Sequence, residues 1–193
     1  MKKVFFKDFE LVVYDHVYEP AEDSFLLAEN VKVLPGIKAL DVGCGCGIQS
    51  INLLSQGAFV TATDINKHAL KNTLKNAKIF GFSKKIKVLY GDLFEPVKRR
   101  KFDVIVFNPP YLPTQGKKDI ALDGGKKGCE ILHRFLDNLP KHLNKGGCCY
   151  FVQSSLTGEK NTKKKLKELN LKFEMLARER LFFEELIVFK TFL

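Results

Sequence analysis

The seven residues Asp41-Val42-Gly43-Cys44-Gly45-Cys46-Gly47 close the apolar run Ala39–Val42 and open a helical segment at Ile48. Glycine at alternate positions lets a chain turn tightly and approach a ligand with no Cβ in the way. The helix N-terminus behind such a loop favours a negative group. A strand, a glycine loop and a helix in that order belong to an open α/β sheet, which binds ligands at the carboxyl ends of its strands. The spacing Gly43-x-Gly45-x-Gly47 departs from the G-x-G-x-x-G of dinucleotide loops. A tight turn with no ligand is the bland alternative, and the strand–loop–helix setting argues against it.

The rest of the chain repeats this alternation. Strands are expected over Ala39–Val42, Phe59–Thr63, Ile86–Tyr90, Val104–Phe107 and Cys148–Val152. Helices are expected over Ala21–Val31, Ile48–Ser55, Lys67–Ile79, Gly128–His142 and Thr162–Leu169. The pattern predicts a mostly parallel sheet with helices on both faces. Lys172–Ala177 and Leu181–Thr191 are close enough to pair as a C-terminal antiparallel hairpin, and Val4–Phe6 with Glu10–Val13 suggest a small β lid. With 193 residues and no repeat or linker, one domain over 1–193 is expected, residues 1–35 forming a lid and a helix that lead into the core.

Three of these strands end in carboxylates: Asp41, Asp64, and Asp92 within Gly91-Asp92-Leu93-Phe94. Asp64 follows the glycine loop by about twenty residues and can accept bonds from both ribose hydroxyls. Asp92 can accept from an exocyclic adenine amine while Leu93 packs on the ring. Each Asp alone could be a helix N-cap, a reading that weakens when all three are taken together. Acidic ends with no basic residue among them suit a pyrophosphate poorly and a cationic ligand well.

The fourth strand ends in Asn108-Pro109-Pro110-Tyr111. A carboxamide, a carbonyl with no competing N–H and an aromatic face then surround one small pocket, able to hold a planar –NH2 group. Pro-Pro also ends strands for purely local reasons, so the motif gains its weight from the residues around it.

Composition narrows the class. At 45% hydrophobic and 28% charged residues, the chain has the make-up of a globular protein rather than a disordered one. The longest weakly charged segment, Ala39 to Thr63, is broken by glycines, Asn, Gln and Asp41, and so does not read as a membrane span. The N-terminus lacks the apolar region of a signal peptide, which makes a cytoplasmic location the expectation. The five cysteines, at 44, 46, 129, 148 and 149, lack Cys-x2-Cys spacing and read as small reduced core residues. The four histidines show no shared spacing, and no metal is expected.

The net charge of +10 implies attraction to a polyanion or an acidic partner, so nucleic acid stays possible through the basic surface. Lysines cluster at Lys84-Lys85, Lys98 to Lys101, Lys117-Lys118, Lys126-Lys127 and Lys163 to Lys165. Most such runs are solvated faces, and they also suit a heat-adapted surface. Aromatic residues are not interleaved with them along the chain, so no dedicated nucleic-acid platform is indicated.

Asp41–Gly47, Asp64, Asp92-Leu93 and Asn108–Tyr111, in that order, resemble the class I methyltransferases that use S-adenosyl-L-methionine. The Asn-Pro-Pro-Tyr form resembles the branch that methylates planar nitrogens, adenine N6 or the glutamine side-chain amide. Tyr18-Glu19-Pro20-Ala21-Glu22-Asp23-Ser24-Phe25-Leu26-Leu27 is similar to the N-terminal signature of the short HemK-like enzymes of archaea and eukaryotes. Glu19-Pro20 also reads as a helix start. The resemblance implies a Rossmann-like sheet, mostly parallel with a C-terminal antiparallel hairpin. It implies methyl transfer to N5 of the glutamine in the Gly-Gly-Gln motif of a class 1 peptide release factor. An N6-adenine enzyme acting on RNA, less readily on DNA, is the alternative.

Carried over by position, the resemblance puts Ser24 near the methionyl part of the cofactor, Asp41, Gly43 and Gly45 in its loop, Asp64 on the ribose, and Asp92 with Leu93 at the adenine. Asn108 would contact both cofactor and substrate. Asn108, Pro109, Pro110 and Tyr111 form the catalytic motif. Asn108 Oδ1 and the Pro109 carbonyl would accept the two N–H bonds of the target amide, with Tyr111 as a wall. Leu122–Gly128 resembles the family's Gly-Gly loop but lacks the expected aromatic residue before it. A small zinc-binding activator protein is the implied partner beside the release factor.

Overall fold

The computed structural model describes residues 1–114 and 121–193; Lys117-Lys118 lie outside the described residues. The chain opens with β1 (Lys2–Phe6), β2 (Phe9–Val13) and α1 (Glu22–Asn30). Then come β3 (Lys38–Val42), α2 (Ile48–Ser55), β4 (Phe59–Asp64), α3 (Lys67–Ile79), β5 (Ile86–Tyr90) and β6 (Phe102–Phe107). It finishes with α4 (Glu130–His142), β7 (Leu143–Ser154), α5 (Glu159–Glu168), β8 (Lys172–Arg180) and β9 (Glu185–Phe192). Seven strands form one sheet in the order β5-β4-β3-β6-β7-β9-β8. The first five lie parallel, and β9 runs antiparallel to both β7 and β8.

Strand periodicity divides the interior into two cores. Successive side chains of a strand point to opposite faces. Val104 and Val106 of β6, Tyr150 and Val152 of β7, and Leu186 and Val188 of β9 face one core, with Leu27, Ile51 and Leu54 of α1 and α2. Ile105 and Phe107, Cys149 and Phe151, and Ile187 and Phe189 face the other, against Leu132, Phe135 and Leu136 of α4 and Leu166 of α5. Near-continuous apolar runs such as Val104–Phe107 are what a strand covered on both faces requires. Phe107, Phe135, Phe151 and Phe189 are fully buried. Each such ring contributes about 1.5–3 kcal/mol by burial.

The expected elements all occur, and several boundaries move. β7 starts at Leu143 rather than Cys148: Leu143 pairs with Phe102, and a bulge carries the chain to the Val104–Cys148 rung. Gly146-Gly147 reads locally as a turn, and only pairing with β6 extends the strand through it. The last strand was expected from Leu181, but Leu181–Glu184 forms the turn, closed by Leu181 N–H to the Glu184 carbonyl at 2.8 Å. β8 accordingly runs on to Arg180. α5 begins at Glu159, not Thr162, its N-cap Gly158 having φ 86°; the polar first turn hid it. α4 begins at Glu130 rather than Gly128, because the glycine belongs to the preceding loop.

The β1–β2 hairpin packs on α3 through a buried polar stripe. Asn72 accepts from Tyr14 N–H at 2.7 Å and donates to the Val12 carbonyl at 2.7 Å. Asn76 accepts from Val12 N–H at 3.0 Å and donates to the carbonyls of Val12 and Cys46, each at 2.8 Å. One helix face thus ties both the hairpin and the glycine loop to the core. Asn76→Ala leaves two of these buried backbone groups without partners. We expect a loss of about 3 kcal/mol, seen as a lower urea midpoint at unchanged slope.

Candidate active site

Sheet register alone gathers the expected residues. Val42 pairs with Thr63 on one side and with Phe107 on the other, and Asp64 pairs with Tyr90. Gly43, Asp64 and Asn108 therefore leave the sheet side by side, with Asp92 two residues beyond Tyr90. The glycine loop turns with Gly43, Gly45 and Gly47 at φ 65°, 56° and 93°, a region that L residues with a Cβ avoid. At Gly47 a Cβ would lie 3.1 Å from Thr73, so the close approach of α3 also calls for glycine. Thr73 Oγ1 donates to the Gly45 carbonyl at 3.1 Å.

The acidic strand ends have different environments. Asp41 is buried and accepts from Ser50 Oγ at 2.6 Å. Burial pushes its carboxyl up from the usual range to about 7; the Ser50 bond opposes the rise and the Asp64 charge adds to it. Asp64 accepts from Gly45 N–H at 3.0 Å and from Asn66 N–H at 2.7 Å. Burial raises its carboxyl too, against those N–H groups. Asp92 is ion-paired with Arg134 of α4. The expectation of strand ends clear of basic residues fails at this one position, because α4 packs on the segment after β5, Phe135 stacking on Phe94 at 5.0 Å, and so brings Arg134 to Asp92. Leu93, at φ 44°, packs partly buried on the second core.

Asn108 holds the centre. Its Nδ2 donates to Ser24 Oγ at 3.1 Å, and Ser24 Oγ donates in turn to Asp23 Oδ1 at 3.0 Å. That relay sets the amide plane and leaves Asn108 Oδ1 buried with no partner among the described residues. A buried orphan acceptor costs free energy unless something donates to it. Asp23, itself buried, also accepts from Ser24 N–H at 2.5 Å and from the Tyr18 hydroxyl at 3.2 Å. The Tyr111 hydroxyl is drawn to the same carboxylate. Burial first, then the Asp23 charge, lifts both phenols well above their ordinary range. Tyr111 therefore stays protonated.

The Gly-Gly loop braces this motif from behind. Leu112 N–H bonds the Leu122 carbonyl and Gly124 N–H the Leu112 carbonyl, each at 2.8 Å. A Cβ on Gly124 would fall 2.3 Å from the Gly128 oxygen and 2.7 Å from the Pro110 oxygen. Pro109 is buried and Pro110 half-buried beside it.

Sequence reasoning singled out neither Asp23 and Tyr18, beyond their place in a signature, nor Asn72, Thr73, Asn76 and Arg134. The polar stripe of α3 had a signal: uncharged Asn and Thr fall on one helix face while Lys71, Lys75 and Lys78 take the other. Asp23 had none, since only the fold brings Tyr111 to it. As a receptor for a cationic nucleoside-type ligand the site fits. It offers an open glycine loop, a buried and a half-buried carboxylate (Asp41 and Asp64) with raised affinity for a proton, and an orphan carboxamide oxygen.

A mostly parallel sheet that takes in β9 antiparallel between β7 and β8, carrying this loop and Asn-Pro-Pro-Tyr on its carboxyl edge, defines a class I methyltransferase. Residues 21–183 match the family model described as Methyltransferase small domain. The chain is 47% identical over 186 residues to a Methanocaldococcus jannaschii protein assigned as a protein N5-glutamine methyltransferase, with 93% of each chain covered. To the human methyltransferase HEMK2 it is 35% identical over 156 residues, covering 72% of each. To the release factor glutamine methyltransferase of Aquifex aeolicus it is 36% identical over 141 residues, covering 65% of this chain and 50% of that one. The chain belongs to this HemK-type methyltransferase family. Among solved structures, Mtq2 of E. cuniculi, in the Mtq2–Trm112 complex responsible for methylating the termination factor eRF1, superimposes with TM-score 0.71. Its identity is 24%, over 92% of this chain and 98% of that chain. The T. thermophilus 16S rRNA methyltransferase RsmC, solved with AdoMet and guanosine, gives TM-score 0.69 at 21% identity, over 89% and 43%.

Two outcomes test this geometry. Gly124→Ala should displace Pro110–Tyr111 and lower kcat on the order of 10²-fold, while affinity for S-adenosylmethionine is retained in calorimetry. Asp41 holds its proton to higher pH in the native state than in the unfolded one. Its contribution to stability is fully present below about pH 4 and is lost as pH rises to about 7. Asp41→Asn should flatten that part of a Tm-against-pH profile.

Proposed function

We propose that this enzyme transfers a methyl group from S-adenosylmethionine to the side-chain nitrogen of the glutamine in the Gly-Gly-Gln motif of a class 1 peptide release factor. The observation that carries the reading is the orphan Asn108 Oδ1, held in place by the Ser24–Asp23 relay. An amide nitrogen is a poor nucleophile because its lone pair is delocalised into the carbonyl. Asn108 Oδ1 and the Pro109 carbonyl accept its two N–H bonds, fix its plane and favour the positive charge that builds on it. Preorganised acceptors of this kind act by orientation and electrostatics. Tyr111 packs on the flat group and, keeping its own proton, takes no part as a base. The surplus proton of the methylated nitrogen passes to solvent.

For the cofactor, Asp41, Gly43, Gly45, Asp64, Asp92, Leu93, Ser24 and Asn108 are the proposed contacts. Asp64 would take the ribose, and Leu93 with Asp92, which also pairs with Arg134, the adenine. When bound, S-adenosylmethionine supplies an electrophilic methyl on a sulfonium centre. The acidic lining suits its net positive charge. We further propose a small zinc-binding activator subunit as partner. Supporting it are the pairing of the fold neighbour Mtq2 with Trm112 and, in this chain, the two outer strands β5 and β8 of the sheet. A cytoplasmic setting agrees with the five unpaired thiols.

Incubation with labelled S-adenosylmethionine and either release factor or total RNA, with and without the activator, tests the reading. Label in the release-factor glutamine is the expected result, and label in RNA alone overturns it. Asn108→Ala should lower kcat by roughly 10²–10³, or about 2.7–4 kcal/mol, with cofactor affinity partly kept. Asp64→Ala should mainly weaken cofactor binding.

A further inference from the structure

At the pole of the sheet opposite the active site lies an open groove of about 590 Å³. Six cations line it, Lys38, Lys84, Lys85, Lys87, Arg100 and Lys101, and among the described residues no Asp or Glu does. Among the described residues none of the six makes an ion pair. The lysine run on α5 behaves differently: Lys163 pairs with Glu159, Lys164 with Glu168 and Lys165 with Asp137. Paired lysines are what a solvated or heat-adapted face uses; the groove keeps its charges unneutralised. The acid nearest in sequence, Asp103, has its carboxylate occupied by Lys38 N–H at 2.8 Å and Asn144 Nδ2 at 2.7 Å.

An aromatic ring sits among these cations. Phe59, the first residue of β4, lines the groove at 51% exposure, and Lys85 Nζ lies 6.0 Å from its ring centroid. Aromatic residues and lysines are not interleaved along the chain, and sheet pairing puts them together: Phe59 sits beside Lys38 in register, and Val60 beside Ile86. A cationic track with an exposed aromatic face binds single-stranded nucleic acid, phosphates on the lysines and a base stacked on the ring. An acidic peptide would use the charges but offer the ring no flat partner.

We infer that this groove is a docking site for single-stranded RNA, independent of the methyl-transfer site. β4 starts in the groove at Phe59 and ends in the active site at Asp64, a separation of about 17 Å at 3.3 Å per residue. RNA held at one pole leaves the acceptor cleft at the other open.

Fluorescence anisotropy of the full chain with a fluorescein-labelled oligouridylate tests this. Binding that weakens steeply with salt is expected. Reversing the exposed lysines in K84E/K85E/K101E should reduce the slope of log Kd against log salt by about 2, roughly 0.7 for each lost phosphate contact. Phe59→Ala should weaken binding by about five-fold or more with the slope unchanged. K163A/K164A, on the paired run, should bind like the parent. Each variant is checked for parental S-adenosylmethionine affinity, so that lost RNA binding is separated from lost folding or methyl transfer. The inference is overturned if the parent fails to bind at low salt, if the groove variants bind like the parent, or if polyglutamate of equal charge competes as well as RNA.

Discussion

The orientation of one carboxamide organises this protein. Asn108 has a donor end and an acceptor end of nearly equal size, and the proposed clamp on the target amide depends on which of them is left free. Ser24 decides, because its hydroxyl proton goes to Asp23 and its oxygen is left to receive Nδ2–H. Buried Asp23 fixes that polarity by also accepting from Ser24 N–H and the Tyr18 hydroxyl. The same residue accepts from the Tyr18 hydroxyl and helps hold the Tyr111 phenol in its protonated form. α1, the segment before it and the Asn-Pro-Pro-Tyr turn are thereby joined into one hydrogen-bond network that converges on Asp23.

Around that network the sheet separates charge by pole. Its carboxyl edge carries Asp41, Asp64 and Asp92, two of them with burial-raised affinity for protons. Its amino edge carries six cations that make no ion pair among the described residues. A parallel sheet makes this arrangement natural, since strands running one way put every strand start at one pole and every strand end at the other. The +10 net charge is therefore not spread evenly, and the cationic end faces away from the site that receives a cationic ligand.

How much of this could be read beforehand depended on range. Val104–Phe107 and Asn108–Tyr111 were legible because an apolar run and its terminator are contiguous. The α3 helix was legible to the residue, framed by Asn66 as N-cap and by a steady period. The β7 start was not, since Asn144–Gly147 has turn composition and becomes strand only through pairing with β6. The Leu181–Glu184 turn was missed for the opposite reason: Leu181-Phe182-Phe183 is apolar like a strand, yet Phe182 and Phe183 are exposed at 100% and 92%. Asp92 read as a free acceptor because its partner, Arg134, lies 42 residues away.

The sequence by itself determined the periodicities, the glycine loop, the acidic strand ends and the planar-amine motif, because each is written in adjacent residues. Tertiary structure alone decided which end of Asn108 Ser24 holds, that Arg134 shares Asp92, that the Gly-Gly loop braces Pro110, and that Phe59 stands among lysines. The physical reason is common to all four. Hydrogen-bond direction, ion pairing, steric bracing and stacking act over a few ångströms in space, and here the partners are separated by fourteen or more residues along the chain.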